Sequence, residues 1–348
     1  MIRVGLIGYG LAGSSFHAPF ITTTPGMRLE AIVTGDPARQ AQARDAHPDA
    51  RVVSSADALW AEPHRLNLVV IAAANAAHVP LARAAIAAGI PVLVDKPLAP
   101  SSAEGRSLVD DARQRNVPLT VFQNRRWDGD ILTLQRLLDD GDLGDVVQFE
   151  SRFERWRLEA RTGWRGSAAP DQAGGLLFDL GSHLIDQALL LFGPAAQVYA
   201  ELDRRRSGSD VDDDAFVAIT HTSGVRSHLW MSILASQRGP RLRVLGTKAS
   251  YVKFGMDVQE DALRRGERPT SPSWGEEAES AWGRVGTDED FRLVRTDRGN
   301  YGELYRRLAE ALRTGGPMPV DPNDAVAVLD VIEAARRSAG ERTVVHLR

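Results

Sequence analysis

The chain has 348 residues, 43% apolar and 25% charged, with a formal net charge of −4. That is the composition of a globular enzyme with room for two full cores, and it gives no electrostatic case for binding nucleic acid. Cysteine is absent, which excludes disulfides, thiolate nucleophiles and cysteine-ligated zinc.

The apolar start is too short, and too soon interrupted by glycine, to cross a membrane. It also lacks a signal peptide's basic region and cleavage site, so a cytoplasmic location without membrane contact is expected. Residues 2–7 read as a buried strand, followed at once by Gly8-Tyr9-Gly10-Leu11-Ala12-Gly13. In that context Gly-x-Gly-x-x-Gly is a dinucleotide fingerprint. The first glycine permits the tight turn and the second lets the backbone approach a pyrophosphate. The third lets the next helix, whose amino end receives the phosphate charge, pack closely.

Leu29 to Thr34 is strand-like, and Asp36-Pro37 supplies an N-cap and a first-turn proline for a helix to about Ala46. A carboxylate at the end of the second strand would hold the adenosine ribose and repel a 2′-phosphate. Thr34 stands there instead, with Arg39 one turn into the helix. With Asp36 read as the N-cap, this pattern predicts NADP in preference to NAD. Next come a strand from Leu66 to Ala72, a helix from Ala76 to Ala88 closed by Gly89, and a strand from Ile90 to Val94. Ser101 and Glu104 have capping-box spacing for a further helix, and Val117 to Phe122 is the following strand. Such alternation means a parallel sheet with right-handed crossovers, an α/β Rossmann domain over residues 1–122.

After a helix from about Asp130 to Asp139, strand signals dominate: Val146 to Phe153, Gln197 to Leu202, Ala215 to His221, Val225 to Ser232 and Leu242 to Leu245. Thr222-Ser223-Gly224 reads as a hairpin turn. The expectation is an α+β domain with a largely antiparallel, open-faced sheet over residues 123–348. The strands at 215–221 and 225–232 are too apolar for a wholly solvated sheet, which predicts a homodimer or larger homo-oligomer through the sheet face. Gly174 to Phe192 is the exception, with Leu180, Leu184, Ala188 and Leu191 at helical spacing. Residues 255–300, rich in Gly, Pro, Glu and Arg, read as a long irregular excursion, either a surface loop or a lid or partner contact. Helices from about Tyr301 to Arg313 and Asn323 to Ala339 complete the chain.

Two segments carry chemistry. Val94-Asp95-Lys96-Pro97 puts a lysine at the end of an apolar strand, and Gly174-Gly175-Leu176-Leu177-Phe178-Asp179-Leu180-Gly181-Ser182-His183 spaces a carboxylate and an imidazole one helical turn apart. Alone, the first is a strand end with a snorkelling lysine and the second a local hydrogen bond. Beside the fingerprint they read as a hydride-transfer site. His17, His47, His64, His221, His228 and His346 lack partners at metal-ligand spacing, so metal-free chemistry is expected.

Gly8-x-Gly10-x-x-Gly13, Asp95-Lys96-Pro97 and Gly174-Gly175-x-x-x-Asp179-x-x-x-His183, in this order, closely resemble the glucose-fructose oxidoreductase, inositol dehydrogenase and rhizopine catabolism (Gfo/Idh/MocA) family. The stretches Gln123 to Asp128 and Asp179 to Gln187 look like its branch of NADP-dependent scyllo-inositol dehydrogenases. The resemblance implies NAD or NADP on the Rossmann domain and hydride exchange between nicotinamide and a secondary alcohol or ketone of a cyclic polyol or sugar. It implies that Lys96 touches the reacting oxygen and the nicotinamide ribose, that Asp179 holds a substrate hydroxyl and that His183 is the general base.

By the fingerprint and the resemblance together, Gly8, Tyr9, Gly10, Leu11, Ala12, Gly13, Thr34, Arg39, Ala73, Asn75, His78, Asp95, Lys96, Gln123 and Arg125 are expected at the cofactor. Arg126, Trp127 and Trp164 are expected at the substrate. For Asn75 a helix cap is an equal reading, for His78 a structural role is the stronger one, and for Trp127, Trp156 and Trp164 core packing is the better single reading. The family lysine usually follows glutamate; Asp95 is shorter by one methylene, which should leave the lysine in place. Two other functions fit such a chain: a dinucleotide-binding regulator, against which Lys96, Asp179 and His183 argue, and an NAD-assisted glycoside hydrolase.

Overall fold

The computed structural model describes residues 1–157 and 173–347. The chain divides into two compact units, the first comprising Met1–Asn124, Gln259–Trp274 and Asn300–Val326, the second Arg125–Val258, Gly275–Gly299 and Ala327–Arg348.

The first unit is built on six strands: β1 (Ile2–Ile7), β2 (Met27–Val33), β3 (Arg51–Val53), β4 (Leu68–Ile71), β5 (Val92–Asp95) and β6 (Leu119–Phe122). They pair in parallel in the order β3-β2-β1-β4-β5-β6. The order reverses between β1 and β4, and in open sheets of this kind ligands bind beyond the strand ends at that switch point. β4 is buried at every position, as a strand covered on both faces must be, so it reads as a continuous apolar run. Local chemistry sets the helix starts. Asp36 accepts the Arg39 N–H at 3.0 Å ahead of the helix Pro37–Ala46, and Ser101 accepts that of Glu104 at 3.2 Å ahead of Ser102–Gln114.

Residues far along the chain complete this unit. Tyr305, on the helix Gly302–Thr314, stacks on Phe20 with ring centroids 6.0 Å apart, and Trp274 meets the same ring edge-on at 6.0 Å. The indole N–H of Trp274 donates to Gln259 at 3.1 Å.

The second unit carries β7 (Val146–Glu154), β8 (Ala195–Asp203), β9 (Asp214–His221), β10 (Arg226–Ser232), β11 (Leu242–Gly246), β12 (Ser250–Lys253), β13 (Gly283–Gly286), β14 (Phe291–Val294) and β15 (Val345–His346). Their order is β14-β13-β12-β11-β7-β10-β9-β8-β15, antiparallel throughout except for the pair β7 and β10. β9 and β10 form the expected hairpin, with Gly224 at φ +87° and its N–H donating to His221 O at 2.9 Å. Along β9 and β10 burial alternates. Val217, Leu229 and Met231 are buried on one face, while Phe216, His228 and Trp230 cluster half-buried on the other. The helix Ser182–Phe192 covers the buried face, where Phe192 meets Phe149 at 5.2 Å.

The segment 255–300 is not an irregular excursion. It contributes β13 and β14 to the second sheet and a short helix, Gln259–Arg264, to the first unit. β14, at the sheet edge, keeps Phe291 and Leu293 exposed, so it lacks the alternation by which a half-buried strand is recognised, and β13 is four residues with glycine at both ends. Among the described residues no helix is long and apolar enough to cross a membrane.

Candidate active site

The glycine turn after β1 has the shape its sequence implies. Gly8 adopts φ +98°, and a β-carbon there would lie 2.3 Å from Ala72 O. A β-carbon on Gly13 would lie 2.0 Å from Gly8 O. Neither position admits a side chain. Gly10 is open by contrast, the nearest atom to a β-carbon being Arg39 Nη1 at 3.6 Å. The chain then enters a π-helical segment, Ala12–His17, continued by the α-helix Ala18–Thr23, and Leu11 at the N-cap offers no side-chain cap. Leu11 is exposed, whereas the Tyr9 side chain is buried and meets the His47 ring edge-on at 5.9 Å. Only the backbone of Tyr9 therefore faces the turn's ligand side.

At the end of β2, Thr34 is buried, and its carbonyl accepts from Gln40 Nε2 at 2.9 Å. Asp36 is engaged as the N-cap, while Arg39 extends back over the glycine turn. Past β4, Asn75 opens the short turn Asn75–Ala77, and the N-cap position of the helix His78–Ala87 falls to Ala77. His78 is buried, with Nδ1 2.8 Å from Pro97 O and Nε2 3.2 Å from Ala73 O. Burial holds its imidazole below the ordinary histidine range, against the pull of Asp95. Its ring thus bridges the segments that follow β4 and β5. Past β5, Asp95 Oδ1 accepts the Lys96 N–H at 2.8 Å. Past β6, Gln123 is buried, and its Oε1 has no hydrogen-bond partner among the described residues.

In the second unit, Arg126 forms a bidentate ion pair with Asp186 at 2.8 and 2.6 Å. The Arg125 carbonyl accepts from Gln187 Nε2 at 2.9 Å. Both partners lie on the helix Ser182–Phe192, which these bonds anchor. Arg125 itself pairs with buried Asp128 at 3.3 Å, and its guanidinium lies 4.8 Å over the Phe153 ring. Burial raises the Asp128 carboxyl, and Arg125 opposes it. Trp127 is buried and Trp156 exposed, while Trp164 lies outside the described residues.

Asp179 and His183 straddle a join. Leu177–Gly181 is a π-helical segment that passes into the α-helix at Ser182, so the two side chains are not separated by one ordinary α-turn as their spacing suggests. His183 is nearly buried, and Asp179 is half-buried. Sequence reasoning missed the residue that fixes this start. Asp212 Oδ2 accepts the Leu177 N–H at 2.7 Å, and Asp212 O accepts that of Leu176 at 3.0 Å. Gly175, at φ +100°, makes room for the carboxylate, since a β-carbon there would lie 2.0 Å from Asp212 Oδ1. Lys96 belongs to the first unit and Asp179 and His183 to the second.

Residues 2–123 match the NAD-binding Rossmann fold of the Gfo/Idh/MocA oxidoreductase family, and residues 135–347 match its C-terminal alpha/beta domain. The chain is 39% identical over 348 residues to "Uncharacterized oxidoreductase YdgJ" of Escherichia coli (strain K12), covering 99% of each. It is 33% identical over 350 residues to scyllo-inositol 2-dehydrogenase (NADP(+)) IolW of Bacillus subtilis (strain 168), covering 99% of this chain and 96% of that protein. Among solved structures, the oxidoreductase yvaA of Bacillus subtilis matches with a TM-score of 0.94 at 32% identity, over 100% of this chain and 98% of that one. With both halves matched and relatives above 30% identity aligned nearly end to end, the chain belongs to the Gfo/Idh/MocA family of NAD(P)-dependent oxidoreductases.

Proposed function

We propose that this oxidoreductase interconverts a secondary alcohol and a ketone on a cyclic polyol or sugar, with NADP preferred to NAD. The observation that carries the reading is Lys96, Asp179 and His183 on a chain aligned nearly end to end with a scyllo-inositol 2-dehydrogenase. The cradle at Gly8 and Gly13 and the Gln123 Oε1, unpartnered among the described residues, fit a dinucleotide. For the preference, Asp36 is occupied as a helix cap, which leaves the Thr34 hydroxyl and the Arg39 guanidinium to meet a 2′-phosphate.

When bound, nicotinamide supplies the acceptor or donor of hydride. The chain's own groups handle the oxygen and its proton. In oxidation the imidazole of His183 takes the hydroxyl proton as the carbonyl forms, and in reduction it returns the proton. Lys96 steadies the negative charge that builds on that oxygen, and Asp179 accepts from a substrate hydroxyl and so orients the ring. Arg126 acts on the site through Asp186, which lies on the helix that carries His183.

The enzyme works in the cytoplasm as a homodimer or larger assembly, with the face bearing Phe216, His228 and Trp230 covered by a second copy. The test is a panel of inositols, sugars and their keto forms with NADP and NAD, followed by absorbance of the reduced cofactor. Turnover of a cyclic polyol, faster with NADP, is the expected result. No net change in cofactor with any of them overturns the reading. Sedimentation as a monomer at micromolar concentration overturns the assembly.

A further inference from the structure

His17 closes the π-helical segment that follows the glycine turn, and it is fully buried. Its ring packs on Phe122 with centroids 4.2 Å apart. Nδ1 lies 2.7 Å from the Tyr305 hydroxyl, and Nε2 lies 3.8 Å from Asp95 Oδ2. The other Asp95 oxygen accepts the Lys96 N–H at 2.8 Å. A continuous line therefore runs from Tyr305 through His17 and Asp95 to the backbone of Lys96.

The chemistry of the line fixes its direction. A carboxylate only accepts, so in the neutral ring the proton belongs on Nε2, facing Asp95, and Nδ1 accepts from the Tyr305 hydroxyl. At 3.8 Å the His17–Asp95 contact is electrostatic and not a hydrogen bond. It is weakly screened, because His17 is buried and only 17% of the Asp95 side chain is exposed. His78 and Lys96 also act on Asp95. Burial pushes its carboxyl up, but His17, His78 and Lys96 together hold it below the ordinary carboxylate range.

We propose that His17 and Asp95 are a positioning pair for Lys96, oriented by Tyr305, through which the helix after the glycine turn sets where the lysine's ammonium stands. The proposal rests on the role given to Lys96 above. Since Asp95 holds the Lys96 peptide with one oxygen and faces His17 with the other, a change at His17 is passed to the lysine without touching a ligand.

The test uses NADPH alone, titrated by its nicotinamide fluorescence, with a thermal melt for each variant. His17→Asn keeps a partner for Tyr305 but loses reach to Asp95, whereas His17→Gln restores a donor near the Nε2 position. His17→Asn and Asp95→Asn are expected to weaken NADPH binding by up to about tenfold and to alter the bound fluorescence, with His17→Gln recovering much of both. Combined with Lys96→Ala, His17→Asn should add nothing further. Lowered melting with wild-type NADPH fluorescence and affinity in His17→Asn would overturn the positioning role. A Lys96→Ala protein that binds NADPH as the wild type does would overturn the reading of Lys96 itself, and the pair's purpose with it. If His17→Asn does not fold, Tyr305→Phe removes one hydroxyl only. A smaller fluorescence change in the same direction supports the proposal, and none overturns it.

Discussion

Each unit holds a glycine turn that leads into a π-helical segment, and the two turns are closed in opposite ways. At Gly8–Gly13 the glycines press the backbone against itself, and the N-cap residue Leu11 contributes no side-chain cap. At Gly174–Gly175 the chain supplies its own carboxylate, Asp212, which accepts the Leu177 N–H. The electropositive start of a helical segment is thus left for an outside anion in one unit and satisfied internally in the other. The first turn is built to receive, the second to hold Asp179 and His183 still.

The largest effect is expected at Gly13. Gly13→Ala puts a β-carbon against Gly8 O, and loss of NADPH binding with a lowered melting temperature is expected. Gly10→Ala meets only the end of Arg39. It should melt as the wild type does yet bind NADPH weakly, because the added methyl stands where the pyrophosphate approaches. Calorimetry and NADPH titration on the two variants separate fold from binding.

The second turn predicts the converse. His183→Ala should lower kcat by on the order of 10²- to 10⁴-fold with NADPH affinity unchanged. Near-normal turnover across pH in the folded variant would remove His183 from the chemistry. A smaller effect is expected at Arg39, where Arg39→Ala should shift the ratio of NADP to NAD affinity by about tenfold. An unchanged ratio would show that the guanidinium beside Gly10 does not read the 2′-phosphate.

The smallest effect sharpens the internal cap. Burial raises the Asp212 carboxyl above its ordinary value, against hydrogen bonds from Leu177 and Leu176 that lower it. A carboxyl raised by folding contributes stability that is fully present below its unfolded pKa and is lost as pH rises through the folded value. The stability advantage of the wild type over Asp212→Asn should therefore shrink as pH climbs from acid toward neutral. Melts across that range check the sign, and an advantage that grows with pH would contradict it.

What is legible in the sequence is what local chemistry decides. Asp36 and Ser101 cap the helices they precede, Gly224 turns its hairpin, and β1 and β5 stand where apolar runs end at Gly8 and at Asp95-Lys96. The site is legible as residue types in order. Its scaffolding is not, because the partners are remote: Asp212 reaches Leu177 across 35 positions, and Tyr305 reaches His17 across 288. The two π-helical segments are also silent, since a wider turn leaves the apolar spacing around it nearly unchanged. β14 escapes because exposed Phe291 and Leu293 erase the alternation, and β13 because it is four residues with glycine at both ends.

The packing of Tyr305 and Trp274 on Phe20 has a consequence for how the protein is made. A ribosome delivers Phe20, Phe122 and His17 early, but at about 5–20 residues per second their covering rings follow only after a delay on the order of ten seconds. Throughout that interval the nascent Rossmann sheet carries an uncovered aromatic face, a natural target for a chaperone. The unit whose synthesis starts first is thus completed only by residues 300–326, and on the proposal above Lys96 gains its full support only when the chain is nearly finished.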